Sequence, residues 1–163
     1  KLIAEASCVD FYVYDMNVYL AEYGRSLFFH GGKVANVLSA TNIQGLQAAM
    51  PADGHIAILI SHTGENERLV EIAKMLRKNK TKVIVITSKT EGTLAPYADE
   101  LLYAAGQKKV EEFWSSMFFA SGKYLLDILY GMEFSRRYDE NLKLNKKYEQ
   151  SGEKLLWGLI EDV

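Results

Sequence analysis

The sequence is poor in cysteine and histidine, the residues that most often build disulfides and zinc sites. Cys8 is the only cysteine among 163 residues, so it has no partner for an internal disulfide. We expect Cys8 to be a small buried hydrophobe in a reducing compartment, which predicts a cytoplasmic protein. The three histidines are not clustered. We therefore expect no structural zinc site, no other metal and no cofactor.

The sequence also lacks an excess of either charge and any long apolar run. The 19 basic and 21 acidic residues give a formal net charge of −2, which offers no electrostatic reason for direct contact with nucleic acid. No apolar run approaches the length of a bilayer span, and no basic-then-apolar leader opens the chain, so we expect no membrane partner. The 48% apolar and 25% charged shares are typical of one globular domain.

Motifs of several enzyme classes are absent. The chain contains neither G-x-G-x-x-G nor G-x-x-x-x-G-K-[ST], so binding of dinucleotides or nucleoside triphosphates has no motif to support it. There is no G-x-S-x-G elbow either, and a Ser-His-Asp hydrolase is therefore not indicated.

What the sequence does contain is a regular alternation of strands and helices. The predicted strands are residues 9–15, 33–38, 55–61, 82–88 and 100–104, and the predicted helices between and around them are residues 1–6, 18–29, 42–50, 66–80 and 94–97. Two of these strands are almost wholly apolar, as expected when helices cover both faces of a sheet. The pattern predicts an α/β fold, a three-layer αβα sandwich with a five-stranded parallel sheet.

A long helix is predicted after the sheet, over residues 111–134. Its apolar face is broader than covering a sheet requires, so core packing and a subunit interface are both open interpretations. Residues 136–150 are polar. They indicate a solvated helix or terminal arm, with contact to nucleic acid as the alternative.

A candidate anion site follows the third strand, in the run from Ser61 to Asn66. Ser61 and Thr63 are spaced so that both hydroxyls reach one anion, and Gly64 permits a tight turn. Asn66 is placed to cap the next helix or to donate its amide to a ligand oxygen. That helix presents the positive end of its dipole to the loop. The alternative is an ordinary strand-to-helix turn without a ligand.

Polar residues at two other strand ends are further candidates. Ser88 follows the fourth strand and Asn17 follows the first, and ligands of parallel α/β sheets lie beyond such ends. Asp15 would repel a phosphate if it pointed inward. His62 and Glu65 have the chemistry of an acid–base pair, although a histidine in such a loop more often faces solvent or a neighbouring subunit.

The segments AILISHTGENERLVEIAKMLRKNKTKVIVITS and EGTLAPYADELLYA resemble the sugar isomerase (SIS) domain, a flavodoxin-like or Rossmann-like phosphosugar-binding fold. That family has a hydrophobic strand, Ser-x-Ser/Thr-Gly-x-(Thr/Asn), an amphipathic helix and a second strand ending in Thr-Ser. Within it, the chain is most similar to the C-terminal effector domain of RpiR/MurR-type transcriptional regulators. The resemblance implies one SIS domain, with its core at residues 9–134, a helical tail at residues 135–163, and a DNA-binding domain that precedes this chain.

The resemblance also implies a role for each site residue. Ser61 and Thr63 would bind a sugar phosphate together with the backbone amides of Gly64 and Glu65. Asn66 would cap that loop or contact the phosphate, and Ser88 would contact the phosphate or the sugar. From their positions in the polar loops we add His62, Glu65 and Asn17 to the candidate ligand-binding residues.

The implied protein is a homodimeric or higher homo-oligomeric sensor rather than an enzyme, and it meets DNA only through the preceding domain. The sequence departs from the family where Gly-x-Gly-x-Ser is usual, since residues 13–17 read Val-Tyr-Asp-Met-Asn. Two alternatives stay open. One is an aldose–ketose isomerase with a base from His62, Glu65, Glu111 or Glu112, and the other is a dimerisation domain with a degenerate pocket.

Overall fold

The computed structural model describes residues 1–106 and 114–157. The strands are β1 Cys8–Tyr12, β2 Val34–Leu38, β3 His55–Ile60, β4 Lys82–Thr87 and β5 Glu100–Tyr103. The helices are α1 Leu2–Glu5, α2 Asn17–His30, α3 Thr41–Ala49, α4 Glu67–Lys78, α5 Trp114–Arg136 and α6 Tyr138–Trp157, with a short 3-10 helix at Ala95–Tyr97.

The five strands form one parallel sheet in the order β2-β1-β3-β4-β5. This confirms the predicted α/β sandwich. The chain runs from β1 outward to β2 and then crosses back to β3, so the strand order reverses between β1 and β3. A crevice at the carboxyl ends of two such strands is where ligands of open α/β sheets bind.

Alternate strand residues face the two helical layers, because successive side chains of a strand point to opposite faces. Phe11 and Ile58 pack toward α2 and α5. Tyr12 and Leu59 pack toward α3 and α4. The central strands are buried on both faces, which explains why they read as continuous apolar runs.

β1 is shorter than predicted, because it ends at Tyr12 instead of residue 15. Gln44 caps this end of the β1–β2 pair. Its Nε2 donates to the carbonyl oxygen of Val13 at 2.9 Å and to that of Leu38 at 2.5 Å, beside a last, long backbone bond from Val13 to Leu38 at 3.4 Å. Asp15, with its positive φ, then turns the chain into α2.

The polar tail is helical, and α6 packs on the end of α2. The rings of Phe29 and Tyr148 stack with centroids 5.2 Å apart, and Asn145 Nδ2 donates to the carbonyl oxygen of His30 at 2.9 Å. The first part of the predicted long helix, residues 111–113, lies outside the described residues. Among those described, no helix has the length and apolar character needed to cross a membrane.

Candidate functional site

A cavity of about 350 Å³ opens at the switch point, between the carboxyl ends of β1 and β3. Three segments line it. They are residues 14–17 from the loop before α2, residues 60–63 with Asn66 and Leu69 from the loop and helix after β3, and Phe118 and Phe119 from α5. The predicted site residues Asn17, Ser61, His62, Thr63 and Asn66 are therefore brought together around one space.

Internal hydrogen bonds shape the loop after β3. The amide of Gly64 donates to Ser61 Oγ at 3.2 Å, and the amide of Glu65 donates to Thr63 Oγ1 at 3.3 Å. Ser61 is buried, whereas Thr63 is exposed. The loop thus presents one fixed and one accessible hydroxyl, with the amides of Gly64 and Glu65 close to those hydroxyls.

The helix that follows begins with the predicted cap. Asn66 Oδ1 accepts a hydrogen bond from the amide of Leu69 at 3.1 Å, so Asn66 is the N-cap of α4. Because Asn66 also lines the cavity, the positive end of the α4 dipole lies at its wall. A helix N-terminus in this position favours an anion.

The loop between β1 and α2 contributes a left-handed residue and an amide. Asp15 has φ of 51°, the region that glycine adopts most readily and that aspartate also tolerates. It occupies the position of the second glycine in the family pattern, and its positive φ is of the kind that glycine adopts without strain. Asn17 Nδ2 donates to the carbonyl oxygen of Ile60 at 3.4 Å, which ties this loop to the end of β3.

His62 is partly buried against α5, with its ring edge-to-face on Phe118 at a centroid distance of 4.8 Å. Burial lowers the pKa of His62, which favours the neutral ring near pH 7. The sequence offered solvent or a neighbouring subunit as its surroundings. The structure instead places His62 at the cavity, against a helix of the same chain.

Glu65 is directed to the neighbouring loop. Its two carboxylate oxygens accept hydrogen bonds from Lys89 Nζ at 2.5 Å and from Thr93 Oγ1 at 3.0 Å. These hydrogen bonds, with the charge of Lys89, hold the pKa of Glu65 below its usual range. A carboxylate held in its ionised form by two donors is a poor partner for His62 in acid–base chemistry.

Ser88 supports the site from behind. Its hydroxyl and its amide both donate to the carbonyl oxygen of His62, at 2.7 and 3.0 Å. Ser88, Gly64 and Glu65 are not among the described residues that line the cavity. Ser88 therefore acts here by positioning the loop, and the direct ligand contact predicted for it stays a prediction.

The apolar part of the cavity comes from residues that no motif indicated. Phe118 and Phe119 belong to the broad apolar face of α5, where helical periodicity alone does not separate core residues from pocket residues. Tyr14 and Leu69 add to this lining. Sequence reasoning missed all four, because their role depends on how α5 crosses the sheet.

A parallel sheet in the order 2-1-3-4-5, with a crevice at the switch point between β1 and β3, defines a flavodoxin-like α/β domain. The sequence model of the SIS domain family matches residues 17–122 of this chain. The chain belongs to the SIS domain family.

Similar proteins include regulators. The chain is 29% identical over 87 residues to the HTH-type transcriptional regulator HexR of Escherichia coli K12, a match that covers 53% of this chain and 30% of HexR. The sugar isomerase domain of an RpiR transcription factor from Sphaerobacter thermophilus superposes with a TM-score of 0.78 at 16% identity, covering 91% of this chain and 82% of that one.

The NanR protein of Vibrio vulnificus, complexed with ManNAc-6P, also superposes with a TM-score of 0.78 at 16% identity, over 90% of this chain and 56% of that one. Other solved structures of this fold are described as phosphosugar isomerases. At such identities the superpositions establish the fold alone. The matched stretch spans less than a third of HexR.

The loop geometry makes Gly64 a sensitive position. Gly64 has φ of 66°, and a Cβ there would lie 3.1 Å from Thr87 Oγ1. We expect Gly64→Ala to lower the free energy of unfolding by at least about 1–2 kcal/mol, since a non-glycine residue is strained in this region. Urea denaturation measures the change.

The matched control is Gly45→Ala in α3, where a Cβ would meet nothing within 4 Å. It should raise the free energy of unfolding by about 0.5–1 kcal/mol, because alanine favours a helix. If Gly64→Ala and Gly45→Ala changed the free energy of unfolding equally, the positive φ assigned to Gly64 would be contradicted.

Proposed function

We propose that this chain is the phosphosugar-sensing and dimerisation domain of a bacterial transcriptional regulator, which meets DNA through a separate helix-turn-helix domain in the cytoplasm. The observation that carries the proposal is the loop after β3, residues 61–66, which lies at the wall of the cavity between β1 and β3. Membership of the SIS family, the likeness to HexR and the sugar phosphate in the NanR complex support it.

The phosphate is proposed to bind at the loop after β3. The exposed hydroxyl of Thr63 offers a donor, and Asn66 places the α4 dipole behind it. The amides of Gly64 and Glu65 donate to Ser61 Oγ and Thr63 Oγ1, and a bound anion would share these donors. Ser61 shapes the turn from within and reaches the same anion with its hydroxyl. Such a site needs no lysine or arginine, because hydrogen-bond donors and a helix N-terminus suffice for an anion.

The sugar is proposed to extend from this loop toward α2 and α5. Asn17 and His62 supply polar contacts there, and Phe118 supplies an apolar wall. A volume of about 350 Å³ lies at the small end of the range of ligand pockets, about 300–1,000 Å³, which favours one small ligand. Asp15 limits the ligand, since its carboxylate lines the same space as the proposed phosphate.

A sensor fits this site better than an isomerase. Aldose–ketose isomerisation requires a positioned base. Both oxygens of Glu65 are engaged by the next loop, and Asp15 is the only carboxylate among the described residues that line the cavity. Glu111 and Glu112, two further candidate bases, lie outside the described residues. His62, the fourth, lines the cavity, so the turnover assay below decides whether it acts as a base. We therefore propose a binding role without turnover.

The dimer interface is proposed to lie on α5. Met117, Tyr124, Ile128 and Met132 recur at helical intervals, and their side chains are 39–65% exposed. We name this row the α5 stripe. A second copy of the chain, pairing stripe to stripe, buries these side chains by the self-complementary contact that two-fold symmetry requires. Because Phe118 lies beside the stripe, the ligand and the partner subunit contact the same helix.

Calorimetric titration with a panel of sugar phosphates and inorganic phosphate tests the site. We expect the wild type to bind at least one sugar phosphate, and Thr63→Val to raise its Kd at least about tenfold, since a hydrogen bond to a charged group contributes about 1.5–3 kcal/mol. Thr90→Val, at an exposed threonine of the next loop, is the control and should leave the Kd unchanged. A folded wild type that binds no sugar phosphate at millimolar concentration contradicts the sensor, and turnover detected by NMR contradicts the binding-only role.

Asp15 gives a second test of where the anion lies. Asp15→Asn removes the charge and keeps a residue that tolerates a left-handed backbone, so we expect it to lower the Kd for the bound sugar phosphate several-fold. Asp15→Gly should have the same effect on the Kd, and it should also raise the free energy of unfolding by removing the strain at φ of 51°. Unchanged affinity in both variants places the phosphate away from this loop.

Sedimentation equilibrium tests the α5 stripe. The double substitution Tyr124→Glu and Ile128→Glu should weaken a wild-type dimer at least about 100-fold, because unpaired carboxylates resist burial. Leu46→Glu is the control, since Leu46 is 58% exposed on α3 in the opposite layer. A folded double variant that dimerises like the wild type rules the stripe out as the interface.

A further inference from the structure

A polar cluster lies at the amino ends of the central strands β1 and β3. The cavity lies at the carboxyl ends of the same two strands. Cys8 and Asp10 of β1 lie beside His55 of β3, since the parallel register pairs Cys8 with His55. One ligand atom from each of the three side chains lies within 4.8 Å of the other two. These residues belong to different strands, so their proximity is a product of the fold.

Asp10 is the centre of the cluster, and it is only 2% exposed. Its Oδ2 lies 2.8 Å from His55 Nδ1, and its Oδ1 accepts a hydrogen bond from Asn36 Nδ2 at 2.8 Å. Gln47 Nε2 donates to Oδ2 at 3.4 Å. Within the described parts of the chain, His55 is the only basic side chain that bonds to this carboxylate. A buried carboxylate without a lysine or arginine is costly unless something else compensates its charge.

The three donor groups lie close enough to share one small cation. Cys8 Sγ lies 3.8 Å from Asp10 Oδ1, and His55 Nδ1 lies 2.8 Å from Asp10 Oδ2. Tetrahedral zinc, with bonds of about 2.0–2.3 Å to nitrogen, oxygen and sulfur, holds its ligand atoms roughly 3.3–3.8 Å apart. We propose that Cys8, Asp10 and His55 bind one Zn²⁺ ion. Binding requires the carboxylate of Asp10 to rotate toward both partners and its contact with His55 to open by roughly half an ångström.

The donor set selects the kind of cation. One sulfur, one imidazole nitrogen and one carboxylate oxygen suit zinc and its first-row neighbours, whereas calcium and magnesium take oxygen ligands. Asn36 supports the site, because its amide orients the Asp10 carboxylate and also lies 3.4 Å from Cys8 Sγ. The side chain of His55 is 19% exposed, so an ion can reach the cluster from solvent, and the proposed fourth ligand is a water molecule.

The thiol of this cluster is not suited to covalent chemistry. Burial and the neighbouring Asp10 raise the pKa of Cys8 to about 11, so the free thiol is protonated and unreactive near neutral pH. A metal would displace that proton, since the thiolate is the form that coordinates.

The position of the site indicates a structural role. β3 runs from His55 to Ile60, so at about 3.3 Å per residue the cluster lies roughly 20 Å from Ser61. Zinc at this edge would join the two strands that flank the cavity without contacting the ligand. The metal proposal is therefore independent of the proposed sensor function.

Titration of the folded, reduced chain with Co²⁺, followed by displacement with Zn²⁺, tests the proposal. We expect one Co²⁺ per chain with thiolate-to-metal charge-transfer absorption, which Cys8→Ser abolishes. We also expect Cys8→Ser and His55→Gln each to raise the Kd for Zn²⁺ at least 100-fold. His30→Gln is the matched control, since His30 is exposed at the end of α2, and it should leave both readouts unchanged.

X-ray absorption at the zinc edge of the wild type keeps the test valid if a variant fails to fold. We expect a sulfur scatterer at about 2.3 Å together with nitrogen and oxygen scatterers. A folded wild type that binds neither ion at micromolar concentration, or a zinc shell without sulfur, overturns the proposal. The cluster is then a buried Asp–His pair beside an unrelated thiol.

Discussion

The carbonyl oxygen of His62 is the point on which the candidate site depends. The amide and the hydroxyl of Ser88 donate to it, and Thr87 Oγ1 lies 3.3 Å away as a third donor. These contacts tie the loop after β3 to the end of β4. A second set of bonds does the same further along, since the amide of Leu94 and the hydroxyl of Thr93 donate to the carbonyl oxygen of Gly64. The loop is thus held from behind, and the exposed hydroxyl of Thr63 is left at the cavity wall.

This arrangement separates residues that hold the loop from residues that face the cavity. Ser88 and Glu65 form hydrogen bonds between the loops that follow β3 and β4, whereas Thr63 and Asn66 line the cavity. A motif match would assign all four residues to ligand binding. The geometry divides them, because a side chain whose polar atoms are already bonded has less to offer an anion. The sequence left it open whether His62 faces solvent, a neighbouring subunit or the pocket. In the structure its ring lies at the cavity wall against Phe118 of α5.

The sequence predicted the elements well because most of its signals are local. Apolar runs, glycines and an Asn cap fixed the loop after β3 to within a residue, and strand–helix alternation indicated the parallel sheet. What it could not predict depends on contacts between distant residues. The early end of β1 is capped by Gln44, which lies 31 positions from Val13. The cluster around Asp10 follows from strand register, so neither composition nor spacing revealed that His55 and Cys8 are neighbours.

The altered loop before α2 has a physical interpretation that the missing glycines alone do not give. Asp15 adopts a left-handed backbone, and Asn17 bonds to the end of β3, so the entrance to α2 is built without either glycine. The substitution at this position therefore adds a charge at the cavity wall. A carboxylate there disfavours an anion in the same cavity. The proposed pocket therefore suits a ligand with a single phosphate, held at the β3 loop, better than one with a second charged group near Asp15.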